Sequence, residues 1–582
     1  MFWLLAFLVA APPDVTYTIR VDPADLTGFD VTVHVRHAPP SFGLAMYRHP
    51  EYDDRYWRYF ENVTVDGATI TPADSGLWQV TGAASDVTVH YRLRLPPERG
   101  SQRGAWKPFL TPTGGLVDGP HALLYVVGAE RAPSRVRLSI PEGWRVATSL
   151  ATTMDSTQFY AATVGDLMDG PMLMGRFHDW RFTVDDTPHR VVYWDGPDAK
   201  SFDTLTFVSH VAAVVQQAVA LFRRPPYAQF SFLFQDGAYG ALEHPDAVTI
   251  GAPSTDLAAD PDALLEETAH EYFHAWNLMR IRPAGYGGVT YRPRPLSTGL
   301  WVSEGFTMFY ADLLARRAGL RLRDSTRESH LERLLNRYLE NPAFARFSAE
   351  RVSQASYATT PLFLGDYQGS THLQGEVLGT MLDLLIRSRS AGQRSLDDVM
   401  RGLAGDSAGF TTRSVQDLVG RACRCDAGPF FDQYVRGARQ VDVNRYLSLI
   451  GLRAQVDWVD AVNDRGRPIP DGRVWSYQPQ GAARPLLLLN TPASQWGRAG
   501  LHSGDTLVSV SDSAMDGVQA FRRVLMRLRV GDTLRVVVRR AGGEFTARVP
   551  ITGFRHPVVR LVPIAGASEQ TGQLRSEWEM GH

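Results

Sequence analysis

His270-Glu271-Tyr272-Phe273-His274 is the stretch whose residue types and spacing could carry chemistry. A helix turns once in about 3.6 residues, so two histidines four apart project from one face. Two imidazoles so placed can hold one Zn²⁺, and the glutamate beside the first can reach water on the metal. Catalytic zinc takes a third protein ligand and keeps its fourth position open. Glu304 follows, within Trp301-Val302-Ser303-Glu304-Gly305-Phe306-Thr307. It is either that ligand or a first-turn glutamate that only favours the helix dipole. A bare H-E-x-x-H is moderately specific, so its surroundings must decide.

Two helices are expected to position these groups. Asp260 can cap the first, with Pro261 at its opening position. Helical apolar spacing runs from Leu264 to Met279, and Pro283 stops it. Ser297 or Thr298 can cap the second, which closes near Gly319 and carries Glu304 in its first turn.

His270-Glu271-Tyr272-Phe273-His274-Ala275-Trp276-Asn277, Arg280-Ile281-Arg282-Pro283 and Leu300-Trp301-Val302-Ser303-Glu304-Gly305-Phe306-Thr307 together resemble a family. It is that of the glycyl aminopeptidases, zinc peptidases of the gluzincin type with a C-terminal PDZ domain. The family usually has a lysine where this chain has Met279. The resemblance implies His270, His274 and Glu304 as zinc ligands and Glu271 as general base. It further implies a zinc metallo-aminopeptidase acting on peptides with a free N-terminus and preferring Gly or Ala as the first residue.

Two further segments take meaning from that resemblance. In zinc aminopeptidases a glycine-rich edge strand lies beside the metal, and its glutamate binds the substrate's free amine. In Tyr239-Gly240-Ala241-Leu242-Glu243-His244 that glutamate would be Glu243, with Gly240 and Ala241 aligning the substrate. The bland alternative is an edge strand with a solvated glutamate. The family typically has two glycines before the leucine; Ala241 replaces the second, and its methyl group could crowd the substrate backbone. Ser370-Thr371-His372-Leu373-Gln374-Gly375 matches a segment that usually reads Ser-Tyr-Tyr-x-Lys-Gly. Related aminopeptidases draw an oxyanion donor from there. His372 stands at a family tyrosine position and is the expected replacement, with nearby Tyr367 as the alternative.

With 582 residues the chain exceeds a single core, and two to four domains are expected. A net charge of −2 gives no case for a nucleic-acid partner. Residues 1–11 form an apolar run too short to span a bilayer, which reads as a truncated secretory signal ahead of Pro12-Pro13. Export to the periplasm or medium is expected, or a cytoplasmic protein if the run is no signal; no stable membrane span is expected. The two cysteines, Cys423 and Cys425, are one residue apart, and a bridge between them is expected to be strained, so packing is the favoured role.

The fold class expected is multidomain α+β. Residues 12–190 alternate apolar and polar in short runs, as in Thr16–Val21 and Val87–Leu93, and read as a β-rich domain. Residues 191–450 switch to mostly helical spacing; by resemblance they form a thermolysin-like, mainly α catalytic domain. Residues 451–480 are weakly patterned and read as a connector. Residues 481–560, with Ala499-Gly500-Leu501 and Gly504-Asp505, resemble a bacterial-type PDZ domain that takes a peptide or protein C-terminus, or else braces the active-site cleft. Residues 561–582 read as a loose polar tail in which Trp578 could dock. Two rival readings stand beside the aminopeptidase: a zinc endopeptidase, in which Glu243 is irrelevant, and a weakly active or inactive scaffold that works through its PDZ domain.

Overall fold

The computed structural model describes residues 13–48, 55–96, 103–292, 296–320, 322–356, 369–405, 408–479 and 482–581. The expected signal segment and Tyr367 lie outside the described residues. Two compact units form, one from Met1–Arg280 with Gly287–Pro295, the other from Ile281–Tyr286 with Leu296–His582.

The first unit opens with β-structure, as the alternation predicts. In Asp14–Asp22 the inward residues Val15, Tyr17, Ile19 and Val21 are buried, and the strand pairs antiparallel with Asp25–Arg36. It lies near the centre of a seven-stranded sheet. Tyr17 and Tyr91 reach through the core to donate to the Leu124 and Ala122 carbonyls, at 2.8 and 3.0 Å, so neither buried hydroxyl is left unsatisfied.

A second, five-stranded sheet follows in the same unit. Thr187–Trp194, Phe230–Gln235 and Ala247–Gly251 run parallel, and the near-continuous apolar runs Val191–Trp194 and Phe230–Phe234 are buried. The helix Thr204–Phe222 makes the crossover between the first two. It begins where the Asp203 carboxylate accepts from the Thr206 amide at 3.0 Å. By length and composition it could cross a membrane, but its apolar face packs here, Phe207 on Phe234 and Phe222 on Trp276. The outer strand on one side, Ala241–Glu243, runs antiparallel to Ala247–Gly251.

The second unit is built around two helices, Leu300–Arg317 and Thr371–Arg389, both buried along most of their length. They meet at Gly305 and Gly375, where neither residue leaves room for a Cβ against the other helix's backbone. Further helices, Arg327–Glu340 and Thr412–Cys423 among them, surround this pair.

Three features here depart from expectation. Residues 451–480 are not featureless: Leu452–Asp460 pairs antiparallel along its whole length with Arg555–Pro563. The small sheet between them, Val474–Tyr477, Leu486–Leu489, Thr506–Val510, Thr533–Arg540 and Gly543–Pro550, has its own core around Leu487, Trp496, Phe521 and Val536. It is therefore an insertion in a two-stranded ribbon. The tail is not loose either. Glu569–Met580 is a helix that buries Leu574 and Trp578. Arg327 stacks on the Trp578 ring, and Glu579 accepts from the Arg327 amide at 2.8 Å at the start of the Arg327–Glu340 helix. Finally, Cys423 and Cys425 are disulfide-bonded, with Cα atoms 5.2 Å apart. Arg424 between them adopts the left-handed conformation that ends its helix (φ 52°), which swings it aside and lets the two sulfurs meet.

Candidate functional site

The motif helix is shorter than its apolar spacing predicts. It runs from Leu265 to Phe273, and Asp260 caps only a turn before it, accepting from the Asp262 amide at 2.9 Å. His274 is the residue that ends the helix, still with helical dihedrals, so the i, i+4 geometry survives. The two Nε2 atoms stand 3.1 Å apart. Two nitrogens on one tetrahedral Zn²⁺, each at about 2.05 Å, would be separated by about 3.3 Å. The chain then reverses through Leu278, buried at φ 116°, and the Asn277 carbonyl comes to 2.7 Å from His274 Nδ1. With Nδ1–H donating to that carbonyl, Nε2 keeps its lone pair.

Aromatic packing fixes this helix on the five-stranded sheet. Tyr272 lies against Phe230 and Phe232, with ring centroids 5.1 and 5.5 Å away. Its hydroxyl bonds that of Tyr227, which in turn bonds His189 Nε2 at 3.0 Å, while His189 Nδ1 faces the Thr187 carbonyl at 2.9 Å. Burial lowers the His189 pKa to about 4, so the ring is neutral and the chain of donors has one direction. Nothing in the local sequence pattern marked Tyr227 or His189 as supports of the motif.

Glu243 sits on the strand that packs against this helix, and it is buried. Gly240, at φ 65°, turns the chain into that strand, and Ala241 is buried at its start. Among the described residues, Ala241–Glu243 pairs on one side only, so it is an edge.

Glu304 is buried in the second turn of Leu300–Arg317 rather than the first, because the helix starts at Leu300 while Ser297 accepts from the Gly299 amide, at 3.1 Å. The Gly305–Gly375 crossing brings the opening turn of Thr371–Arg389 alongside, and His372 Nε2 stands 3.1 Å from Glu304 Oε2. The His372 side chain is about half exposed. One ligand atom from each of His270, His274 and Glu304 lies within 4.8 Å of the others. Two imidazoles and one carboxylate are the donor set of a catalytic zinc site, and these residues fit the ion.

Comparison with known proteins gives the following similarities. Residues 16–176 match the description "Peptidase M61 N-terminal domain" and residues 263–371 match "M61 glycyl aminopeptidase". The crystal structure of an aminopeptidase N family protein from Idiomarina loihiensis superposes with a TM-score of 0.74 at 19% identity, covering 97% of this chain and 100% of that one. The M1 zinc metallopeptidase from Deinococcus radiodurans gives a TM-score of 0.46 at 15% identity over 73% of this chain and 93% of its own. No curated protein sequence matches the chain.

Proposed function

We propose, from the premise that the chain belongs to the glycyl aminopeptidase family, that it is a zinc-dependent aminopeptidase removing the first residue of peptides. The observation that carries this reading is the His270, His274 and Glu304 cluster. On this reading the motif helix and its five-stranded sheet belong to a thermolysin-like catalytic domain.

Zn²⁺, when bound, supplies a Lewis acid that polarises the scissile carbonyl and acidifies water. Glu271, beside His270 on the motif helix, takes the proton of the attacking water and returns it to the departing amine. Buried Glu243 pairs with the substrate's ammonium group and so counts residues from the N-terminus. His372, at a family tyrosine position and half exposed beside Glu304, is the proposed hydrogen-bond donor to the oxyanion. A small first residue, Gly or Ala, is the preference proposed from the family, with the Ala241 methyl group adding to the crowding.

We read the inserted sheet with its helix Val518–Leu525 as a PDZ domain that takes an extended peptide or protein C-terminus. We also propose export, which the Cys423–Cys425 bond supports because such bonds persist in oxidising compartments.

One observation favours a second reading. His372 Nε2 already meets Glu304, and a donor so engaged is a weaker partner for an oxyanion than a free phenol, so a scaffold with little turnover remains the rival. Metal analysis of purified protein, with hydrolysis of peptides bearing free and acetylated N-termini, tests both. One bound zinc with cleavage of free peptides alone is expected. Equal rates on both would select the endopeptidase, and bound zinc without cleavage of any peptide would select the scaffold.

A further inference from the structure

Beside the substrate-aligning strand lies a piece of structure to which no role has been given. Arg103–Gly104 adds a short parallel strand to Ala238–Tyr239, and the Ala105 amide donates to the Tyr239 carbonyl at 3.1 Å. Gln235 fastens the segment: its Nε2 donates to the Ala105 carbonyl at 2.7 Å, and its Oε1 accepts from Arg103 at 2.8 Å. Held in this way, the benzene ring of Trp106 lies between two glycines. A Cβ on Gly104 would stand 3.0 Å from it, and one on Gly240 would also stand 3.0 Å away. Tyr239 meets the indole edge-on at 6.0 Å and is itself 48% exposed. A part-exposed aromatic corner thus adjoins Gly240.

We propose that Trp106, with Tyr239, walls a subsite for the second and third residues of the peptide substrate. The proposal rests on the reading of Glu243 as the ammonium partner. A substrate strand laid antiparallel on the edge Ala241–Glu243, with its first residue at Glu243, runs back toward Gly240. Three strand residues span about 10 Å, which brings the second to third substrate residue to the indole. In edge-strand recognition the backbone supplies affinity and the pockets for side chains supply selectivity. An indole wall favours apolar and aromatic side chains. The substrate class is therefore short peptides with a free amino end, a small first residue and an apolar residue at position two or three.

The test uses the whole zinc-loaded protein and compares kcat/KM on Ala-Phe-Ala and Ala-Ala-Phe with that on Ala-Ala-Ala, alanine amide serving as internal reference. Wild type should prefer at least one phenylalanine peptide by about tenfold or more. Trp106→Ala should reduce that ratio to within about twofold, mainly through KM, and Trp106→Phe should keep most of it. Should Trp106→Ala not fold, Tyr239→Ala, at an exposed position, should lower the same ratio. Persistence of the preference in these variants overturns the subsite, as does a wild type with no preference. N-acetylated peptides form a separate arm: their cleavage at equal rates would defeat the Glu243 reading, whatever the phenylalanine ratio.

Discussion

His330 should make the stability of the helical unit depend on pH near neutrality. It is buried on Arg327–Glu340, with Nε2 2.6 Å from Glu376 of Thr371–Arg389. Its Nδ1 stands 3.5 Å from Asp312 and 3.4 Å from Asp324, and Arg333 approaches it at 3.2 Å. Arg316 and Arg333 pair with those two aspartates, at 2.8 and 2.6 Å, while Arg327 lines the same small cavity. Burial alone would lower the His330 pKa, but the hydrogen bond and charge of Glu376, with the charge of Asp312, raise it from 6.5 to about 9. At about 1.4 kcal/mol per unit, that rise is worth about 3 kcal/mol to the folded state. The folded pKa lies above the unfolded one, so the contribution is complete below about pH 6.5 and is lost as pH rises through about 9. His330→Gln removes the titrating group. In thermal unfolding followed by tryptophan fluorescence, the gap between wild type and variant should be about 3 kcal/mol larger at pH 6 than at pH 10. For a unit of this size that is roughly 5–10 °C in Tm. A gap of the same size at both pH values would refute the assignment of a charged His330 to the Glu376 pair.

Three other outcomes are expected. Glu271→Gln should keep bound zinc while kcat falls by about 10²-fold or more; retention of near-wild-type turnover would remove Glu271 as the base. Gly375→Ala should destabilise the helical unit by about 2 kcal/mol or more, because its Cβ has no space beside the Trp301 carbonyl; a Tm equal to wild type would mean that the two helices can part there. Removal of residues 481–582 should leave an insoluble or molten helical unit, since it strips Arg555–Pro563 and Trp578 from their partners, whereas excision of 474–551 alone should leave zinc binding intact. A soluble, zinc-binding product of the first deletion would show the ribbon and the last helix to be dispensable.

What could be seen in the sequence was local. The i, i+4 histidines and the later glutamate announce a candidate metal cluster because ligand chemistry fixes residue type and spacing together. Val15, Tyr17, Ile19 and Val21 reveal their strand because alternation decides which face is buried. The apolar run to Met279 overstated the motif helix, since the buried turn through Leu278 is as apolar as the helix it follows. Pairing of Leu452–Asp460 with Arg555–Pro563 joins segments about a hundred residues apart, and neither strand's own pattern names its partner. Glu569–Met580 reads as polar because Leu574 and Trp578 alone face inward. The bond between Cys423 and Cys425 depends on the left-handed Arg424, a conformation that arginine does not advertise.

The ribbon that frames the inserted sheet also sets an order of events during synthesis. Leu452–Asp460 leaves the ribosome long before its partner strand exists, and the inserted sheet, with its own core, can close in the interval. The helical unit has to wait. Its first long helix forms early, yet the aromatic cap on Arg327 arrives only with Trp578. At about 5–20 residues per second, the stretch from the first ribbon strand to Trp578 takes on the order of ten seconds to emerge. Throughout that time the Arg327–Glu340 helix carries an uncovered face. Chaperone engagement and the risk of aggregation should therefore concentrate on this interval, and slow codons between the two ribbon strands should lower the yield of soluble protein more than slow codons before them.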